Sequence, residues 1–497
     1  MTISKKGIDL DEVLMNFRLC GRYHMINIIL LFFTYVFSVC ISYNYIFAAE
    51  AVSYRCKTPG TTCNDTNCSQ RDDENSCHEW EYDDPDSFVA EFNLAGQEWK
   101  RTLIGSVHSF GFMMGLLIIG PLSDRLGRKA MIVFTGLMAA VLGIAKSFVT
   151  QYWLYIGLEF LEAAIGDILS PAFTLSVELV ATKKRVIFMM ISAFGIPFGY
   201  TVPPLVGWSC SYWRTYLRVL YTPGLLFALY YFFLRSDNPR WLLAKGKVEE
   251  ARAELKRAAK MDNIVIDDKT LEKLTYVSGK TANILELLKI TFASHIMLKR
   301  LFICVIWWVT SSFVNYGMVV NSVSLQGNKY INFAIMGAVR LLGVSMLMYI
   351  LKKYQRKYSL MGCFFIGAIL CLTQPFVPDN IPWLSVSLYM AGKLMGGLFM
   401  DITYIYTSEL FPTYTRNSMH ALCSSVGKIG SIAGPQTPLL MLYWTGLPTV
   451  IYGSMALLAG ILTIFVPDTG NNSLPDDVKQ AEALGNKTTK DEDLETI

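Results

Sequence analysis

Ionisable side chains interrupt several long stretches of the chain that are otherwise apolar. Glu159 and Glu162 share one stretch, Lys393 and Asp401 share a second, and Lys428 lies in a third. An ionisable group in hydrocarbon costs at least about 2.5–3.5 kcal/mol, so each of these side chains requires a partner or a function. Ammonium groups attract carboxylates and sulfonates as compact point charges, and carboxylates attract cationic groups. These residue types therefore indicate binding of a small charged solute.

The sequence shows no catalytic set around these charges. There is no nucleophile elbow and no phosphate-binding glycine loop, and the histidines lack metal-binding spacing. An enzyme, a metal site, a cofactor and a pump driven by ATP hydrolysis are therefore not expected. The histidines are His24, His78, His108, His295 and His420.

The composition explains where the apolar stretches belong. Of the 497 residues, 53% are hydrophobic and only 17% are charged, whereas soluble domains have roughly 25% charged residues. A helix needs about 20 apolar residues to cross the hydrocarbon layer. The chain is therefore predicted to be an all-α integral membrane protein. Its twelve predicted spans are 23–45, 103–122, 130–148, 152–178, 186–208, 214–234, 300–321, 331–351, 358–376, 383–407, 418–441 and 447–466.

Lysine and arginine concentrate at the N-terminus and in every second loop between these spans. The positive-inside rule places such loops in the cytoplasm, so both termini of this multi-pass protein are predicted to be cytoplasmic. The first apolar run lacks a small-residue cleavage site and is predicted to be an uncleaved anchor. The net charge of +4 gives no indication of nucleic acid binding.

The loop at 45–100 is the one large segment predicted on the outer side. It holds four cysteines, and an even number in an oxidising compartment suggests two disulfides with three possible connectivities. Four free thiols are the alternative. The loop also has two glycosylation sequons. The residues concerned are Cys56, Cys63, Cys68, Cys77, Asn64 and Asn67.

An internal repeat divides the chain into two halves. Glu178 precedes Arg185 by seven residues after the fourth span, and Glu409 precedes Arg416 by the same interval after the tenth. A repeat separated by six spans predicts two pseudo-symmetric six-helix halves, with the solute site between them at mid-depth. The predicted segments are an N-terminus at 1–22, halves at 23–234 and 300–466, a partly helical linker at 235–299 and a disordered polar tail at 467–497.

Two further motifs connect this architecture with a known family. The loop after the second span runs from Gly120 to Lys129 as G-P-L-S-D-R-L-G-R-K, in which the glycines allow a tight turn; N-P-R-W-L-L-A-K follows the sixth span from Asn238. With the long outer loop, they resemble the organic cation/anion/carnitine transporter family of the major facilitator superfamily. The chain departs from that family where Glu159 replaces an arginine of the fourth span.

This resemblance implies transport of small organic ions by alternating access at the plasma membrane, driven by a gradient or an exchanged or coupled ion. Basic residues at the positions of Lys393 and Lys428 are similar to those of anion and carnitine carriers. A zwitterion or an organic anion is therefore expected. Solute contacts are expected at Lys393, Lys428, Asp401, Tyr316, Glu159 and Glu162, and cytoplasmic gating charges at Asp124, Arg125, Arg128, Glu178, Arg185, Glu409 and Arg416.

Several alternatives remain at this point. An organic cation carrier would use Asp401 and the acids of the fourth span, a sugar-porter-like carrier would share the motifs, and a solute sensor would bind without transport. Lys393, Lys428 and Asp401 could instead neutralise one another, and Glu159 and Glu162 could pair with other groups inside the protein. The oligomeric state is open.

Overall fold

The computed structural model describes residues 10–56, 80–233, 238–264, 271, 293–378, 380–412, 415–469 and 478–483. It divides into two compact units, Met1–Gly279 and Lys280–Ile497, and the division falls in the predicted linker. Both units consist of α-helices, apart from the strands Tyr54–Cys56 and Trp80–Tyr82, which pair antiparallel with Arg55 opposite Glu81. Each unit is described by itself below.

Helices of the first unit coincide with the first six predicted spans. Prolines and Gly166 interrupt several of them, since proline cannot donate to the helix ladder. The helices are Leu10–Met15, Arg22–Ala48, Phe88–Glu91, Glu98–Leu126, Arg128–Lys146, Tyr152–Ile165, Leu169–Glu178, Arg185–Ala193, Gly195–Gly199, Val202–Ser209, Trp213–Tyr221, Phe227–Phe233, Pro239–Ala244 and Val248–Met261, with 3-10 turns at Thr182–Lys184 and Thr222–Leu226.

Helices of the second unit coincide with the last six predicted spans. They are His295–Val320, Lys329–Lys353, Arg356–Thr373, Pro382–Leu410, Arg416–Ala433, Leu447–Thr463 and Val478–Ala483, with 3-10 turns at Asn321–Ser324, Gln374–Phe376 and Gly434–Leu442. Across the described residues, eight helices are long and apolar enough to cross a membrane. They match predicted spans one to five and seven to nine. The all-α membrane prediction is therefore confirmed.

Gly127 makes the tight turn between the second and third spans. Its φ of 98° lies in a region that favours glycine, and it separates helix Glu98–Leu126 from helix Arg128–Lys146. Gly120 was expected to serve the same turn, but it lies inside the helix, where an added Cβ would meet nothing within 4 Å. One glycine of the motif therefore makes the turn.

The predicted linker and tail are more ordered than their polarity indicates. Helices Pro239–Ala244 and Val248–Met261 confirm that the linker is partly helical. Disorder was predicted for the whole tail, but Val478–Ala483 is helical. Ser294 bonds the Glu482 carboxylate, and Arg300 donates to the carbonyl of Ala481. The prediction was wrong for those six residues because the helix has partners at the start of the seventh span.

The middle of the outer loop, 57–79, lies outside the described residues, and with it Cys63, Cys68, Cys77, Asn64 and Asn67. Cys56 is disulfide-bonded, while the connectivity and the glycosylation stay predictions. The described part is anchored to the first half: Arg214 and the Trp213 indole, at the start of the sixth span, both donate to the Glu91 carboxylate.

Candidate functional site

A buried charge cluster lies within the first half. The Lys146 ammonium donates to Glu159 at 2.5 Å and also to Glu162. Tyr221 donates to Glu162, and Nδ1 of His108 lies 2.8 Å from Oε1 of Glu159. The side chains of Lys146, Glu159 and Glu162 have no exposed surface. We call Lys146, Glu159, Glu162 and His108 the lysine–glutamate cluster.

Helix geometry brings this cluster together. Glu159 and Glu162 are three residues apart on helix Tyr152–Ile165, so their side chains lie on one face. His108 and Gly111 share a face of the second span in the same way. A Cβ at Gly111 would come within 2.6 Å of the Phe160 carbonyl oxygen. Because glycine leaves that space open, the second span approaches the fourth closely enough for His108 to reach Glu159.

The structure favours the pairing role for Glu159 and Glu162, one of the alternatives that the sequence left open. Both carboxylates have a positively charged partner, Lys146, within their own half. The third acid of the fourth span, Asp167, lies where its helix is interrupted. Its Oδ1 accepts from the backbone N–H groups of Leu169 at 3.0 Å and Ser170 at 3.3 Å, so it caps the second segment.

A metal ion does not fit the lysine–glutamate cluster. Ligand atoms of His108, Glu159 and Glu162 lie within 4.8 Å of one another, a spacing that a metal site requires. The Lys146 ammonium, however, bonds both carboxylates. A cation in the same position would be repelled by Lys146 and would have to displace it.

Lys393 has a different environment in the second half. Its ammonium donates to the Asn315 carbonyl oxygen at 2.9 Å and to Oδ1 of Asn315 at 2.6 Å. The Asn315 amide nitrogen donates in turn to the Gly396 carbonyl at 2.7 Å, which fixes the amide orientation. Lys393 is only 8% exposed. Among the described residues no carboxylate lies within 4.0 Å of its ammonium, so its hydrogen-bond partners there are neutral.

Asp401 pairs with a residue that the sequence analysis did not consider. Arg340 of the eighth span donates to the two Asp401 oxygens at 2.7 and 3.0 Å. This bidentate pair corrects the alternative in which Asp401 neutralises Lys393 and Lys428. Both Asp401 oxygens have a guanidinium partner, and whether Asp401 also contacts solute stays a prediction.

Lys428 and Tyr316 occupy two helices that pack closely. Lys428 is half-buried on helix Arg416–Ala433, and Tyr316 is half-buried on helix His295–Val320. Gly427 lies next to Lys428, and its Cβ, if present, would come within 2.9 Å of the Trp308 Cβ. Glycine therefore permits the contact between the seventh and eleventh spans. Whether Lys428 and Tyr316 bind solute stays a prediction.

The predicted gating charges form similar pairs in the two halves. Arg128 lies 2.6 Å from Asp124 and 3.1 Å from Glu178. In the second half, Arg356 lies 3.3 Å from Glu409. Glu178, at the end of the fourth span, therefore pairs with the arginine that begins the third. Glu409, at the end of the tenth span, pairs with the arginine that begins the ninth. The described partners of Arg128 lie within its own half.

The other predicted gating arginines have separate surroundings. Arg125 is exposed, and Arg185 donates to the Val177 carbonyl at 3.0 Å. Nε and Nη2 of Arg416 are buried without a hydrogen-bond partner among the described residues. No described ion pair joins Glu178 to Arg185 or Glu409 to Arg416.

The family model for the sugar (and other) transporter matches residues 30–476. The human organic cation/carnitine transporter 2 is 30% identical over 431 residues, which cover 84% of this chain and 76% of that protein. The mouse solute carrier family 22 member 21 is 29% identical over 432 residues, with the same coverage of both chains.

The chain belongs to the organic cation/anion/carnitine transporter family of the major facilitator superfamily. This transporter therefore acts as a multi-pass membrane carrier of a small solute, and it is not an enzyme. Among solved structures, the inward-open xylose transporter XylE from E. coli matches with a TM-score of 0.64 at 16% identity, over 92% of this chain and 100% of that one. That likeness confirms the fold.

Sequence reasoning about this transporter missed three partner residues. Lys146 and Arg340 are basic residues inside predicted spans, and His108 was considered only as a metal ligand. Each could have been found by the rule that a charge in hydrocarbon has a partner of opposite charge. The rule applies to every charge in a span, including those of the second, third and eighth spans.

Proposed function

We propose that this transporter carries a small organic anion or zwitterion, and that Lys393 meets the negative group of the solute. The observation that carries the proposal is the pairing of the Lys393 ammonium with neutral oxygens of Asn315. A buried charge without a counter-charge is costly, because the interior screens it poorly. A carboxylate or sulfonate on the solute would supply the missing charge.

The hydrogen-bond inventory of Lys393 leaves room for that group. An ammonium has three donors, and two of them have partners on Asn315. Because the Asn315 amide is held by Gly396, the ammonium is positioned before the solute arrives. Preorganisation of this kind lowers the cost of binding.

The acids of the membrane spans argue against a carrier of simple cations. Glu159 and Glu162 share Lys146, and Asp401 is paired with Arg340. These internal partners leave none of the three acids as a ready counter-charge for a cationic group. Such a group can lie against an aromatic ring such as Tyr316, and a zwitterion adds a negative group that Lys393 can bind. The organic cation/carnitine transporters among the relatives are consistent with a solute of mixed charge.

Lys428 is proposed as a second ammonium for the negative group, as the resemblance to anion and carnitine carriers implies. Alternating access would be governed by the cytoplasmic pairs Arg128–Glu178 and Arg356–Glu409.

We further propose a plasma membrane location with both termini in the cytoplasm, which antibody access to terminal tags in intact cells would test. Tags that are accessible without permeabilisation would contradict this orientation.

Radiolabelled uptake in cells expressing the chain tests the proposed solute class. Carnitine, para-aminohippurate and tetraethylammonium represent a zwitterion, an anion and a cation. Uptake of carnitine or para-aminohippurate is expected, and Lys393→Gln and Lys428→Asp are each expected to reduce it by about tenfold or more, since a lost charge-assisted contact is worth about 1.5–3 kcal/mol.

Lys352→Gln is the matched control, because Lys352 is exposed at the end of the eighth span. It removes the same charge and is expected to leave uptake unchanged, with surface expression measured for every variant. Preference for tetraethylammonium, with both lysine variants unaffected, would show that the carrier is specific for cations and would overturn the proposal.

A further inference from the structure

The lysine–glutamate cluster is one positive charge short. Glu159 and Glu162 carry two negative charges, and Lys146 supplies one positive charge. With a neutral His108 imidazole the cluster has a net charge of −1, although the three charged side chains have no exposed surface. Binding of one proton makes the cluster neutral, which is the favourable state for groups removed from water.

The side chains around the cluster do not supply the missing charge. Asn44 of the first span accepts from the Lys146 ammonium at 3.5 Å. The rings of Tyr155 and Tyr221, from the fourth and sixth spans, lie 5.7 and 5.3 Å from it, and Tyr221 also bonds Glu162. These groups are neutral. Among the described residues that face the cluster, His108 is therefore the group that can gain a positive charge.

His108 also connects the cluster to open space. It borders a narrow cleft within the first half whose free space, about 10 Å³, is about that of one water molecule. Other polar groups of the cleft are Ser38 and Ser42 of the first span and Asp167 of the fourth. Lys146, Glu159 and Glu162 do not line it. A proton can therefore reach Glu159 through the imidazole, which faces the cleft on one side and the carboxylate on the other.

We propose that His108 and Glu159 together bind one proton, and that the transporter moves this proton with its solute as a proton symporter. The proton enters from the cleft and converts the imidazole to imidazolium by binding Nε2, while the Nδ1–H donates to Oε1 of Glu159, 2.8 Å away. Alternating access opens such a cleft to one side of the membrane at a time. The proton bound on one side leaves on the other, and the cluster alternates between neutral and −1.

The geometry assigns separate roles to the two glutamates. Glu162 is fixed by both Lys146 and Tyr221, so it balances the charge of Lys146 throughout the cycle. Glu159 contacts both Lys146 and His108 and balances the positive charge of the imidazolium when His108 holds the exchanging proton. The coupling rests on the chain being a transporter, and it holds for an anionic or a zwitterionic solute alike.

A solute-free measurement tests the proton site on the purified full-length protein. Infrared difference spectra are recorded between acidic and alkaline buffer for the wild type, His108→Gln and Glu159→Gln. A pH-dependent band of a carboxylic acid or imidazolium is expected in the wild type and is expected to vanish in both variants. His24→Gln removes another buried histidine of this half and should keep the band. Wild-type and variant spectra that coincide would overturn the proposal.

Transport in proteoliposomes tests the coupling. Exchange of labelled for unlabelled carnitine, para-aminohippurate or tetraethylammonium at equal pH measures carrier activity alone. An inward proton gradient should then drive several-fold accumulation of the exchanged solute. His108→Gln is expected to retain exchange and lose accumulation, while His24→Gln retains both.

Wild-type protein that exchanges a solute without gradient-driven accumulation would overturn the symport. If none of the three solutes exchanged, the proposed solute class would fail, and the infrared spectra would still decide whether His108 and Glu159 bind the proton. The two failures are therefore distinguishable.

Discussion

The two halves of this transporter give their buried lysines different kinds of hydrogen-bond partner. In the first half, Lys146 is bonded to two carboxylates, so there are more negative charges than positive ones. In the second half, Lys393 is bonded to the neutral oxygens of Asn315, while the nearby acid Asp401 is paired with Arg340. Both lysines are buried, but only Lys146 has its counter-charge within the described protein.

This difference distinguishes charges that stabilise the folded protein from charges that bind the solute. A lysine with internal carboxylates contributes to folding, since removing it exposes the remaining charges to a low dielectric. A lysine with neutral partners retains an unbalanced charge that a solute can balance. We therefore expect Lys146 variants to change stability first and Lys393 variants to change solute selection first.

The largest expected effect follows from replacing Lys146 by methionine. This leaves Glu159 and Glu162 buried without their ammonium partner, and breaking a buried pair costs about 3–5 kcal/mol. The purified variant should therefore melt at a clearly lower temperature in a size-exclusion thermostability assay, or fail to reach the cell surface. Adding Glu162→Gln removes one of the orphaned charges and should restore part of the loss. If Lys146→Met alone were as stable as the wild type, Lys146 would not have the stabilising role that distinguishes it from Lys393.

A smaller effect is expected from the cytoplasmic ion pairs. Glu178 is held by Arg128 and Asn238, so Glu178→Gln should lower the maximal uptake rate by about tenfold, or about 1.4 kcal/mol in barrier, with KM little changed. Glu409→Gln should act similarly in the second half. Asp124 is 67% exposed, so Asp124→Asn should lower the rate less. A maximal rate that stays at the wild-type value in Asp124→Asn would contradict its gating role.

The smallest effect concerns an ion pair outside the membrane. Burial raises the pKa of Glu91, but hydrogen bonds from Arg214 and Trp213 outweigh it and hold the pKa below its usual value. A lowered pKa stabilises the folded protein above the pKa of the unfolded chain, and this is lost as pH falls from about 5 to about 3. Melting temperatures over that range should fall less steeply for Glu91→Gln. Equal slopes of melting temperature against pH would show that the Glu91 carboxylate contributes nothing to the pH dependence of stability.

The sequence was sufficient for the fold, while the solute contacts it predicted stay predictions. Span length, loop charge and the repeat around Glu178 and Glu409 predicted the architecture, because hydrocarbon thickness and backbone hydrogen bonding leave few alternatives. Charge in a span also identified Lys393 and Asp401. Their partners could not be predicted, because whether Asp401 meets Lys393 or Arg340 depends on helix rotation and packing, which the apolar pattern does not specify.

The most direct test compares carnitine with choline in Lys393→Gln and wild type, because the two solutes share a quaternary ammonium and only carnitine has a carboxylate. Competition against labelled carnitine or choline uptake gives the selectivity of each protein, and the four values form a double-mutant cycle. The predicted result is that the wild type prefers carnitine and that the variant loses this preference by about tenfold or more, or about 1.4 kcal/mol. An unchanged preference, with both solutes weakened equally, would contradict the assignment of Lys393 to the negative group.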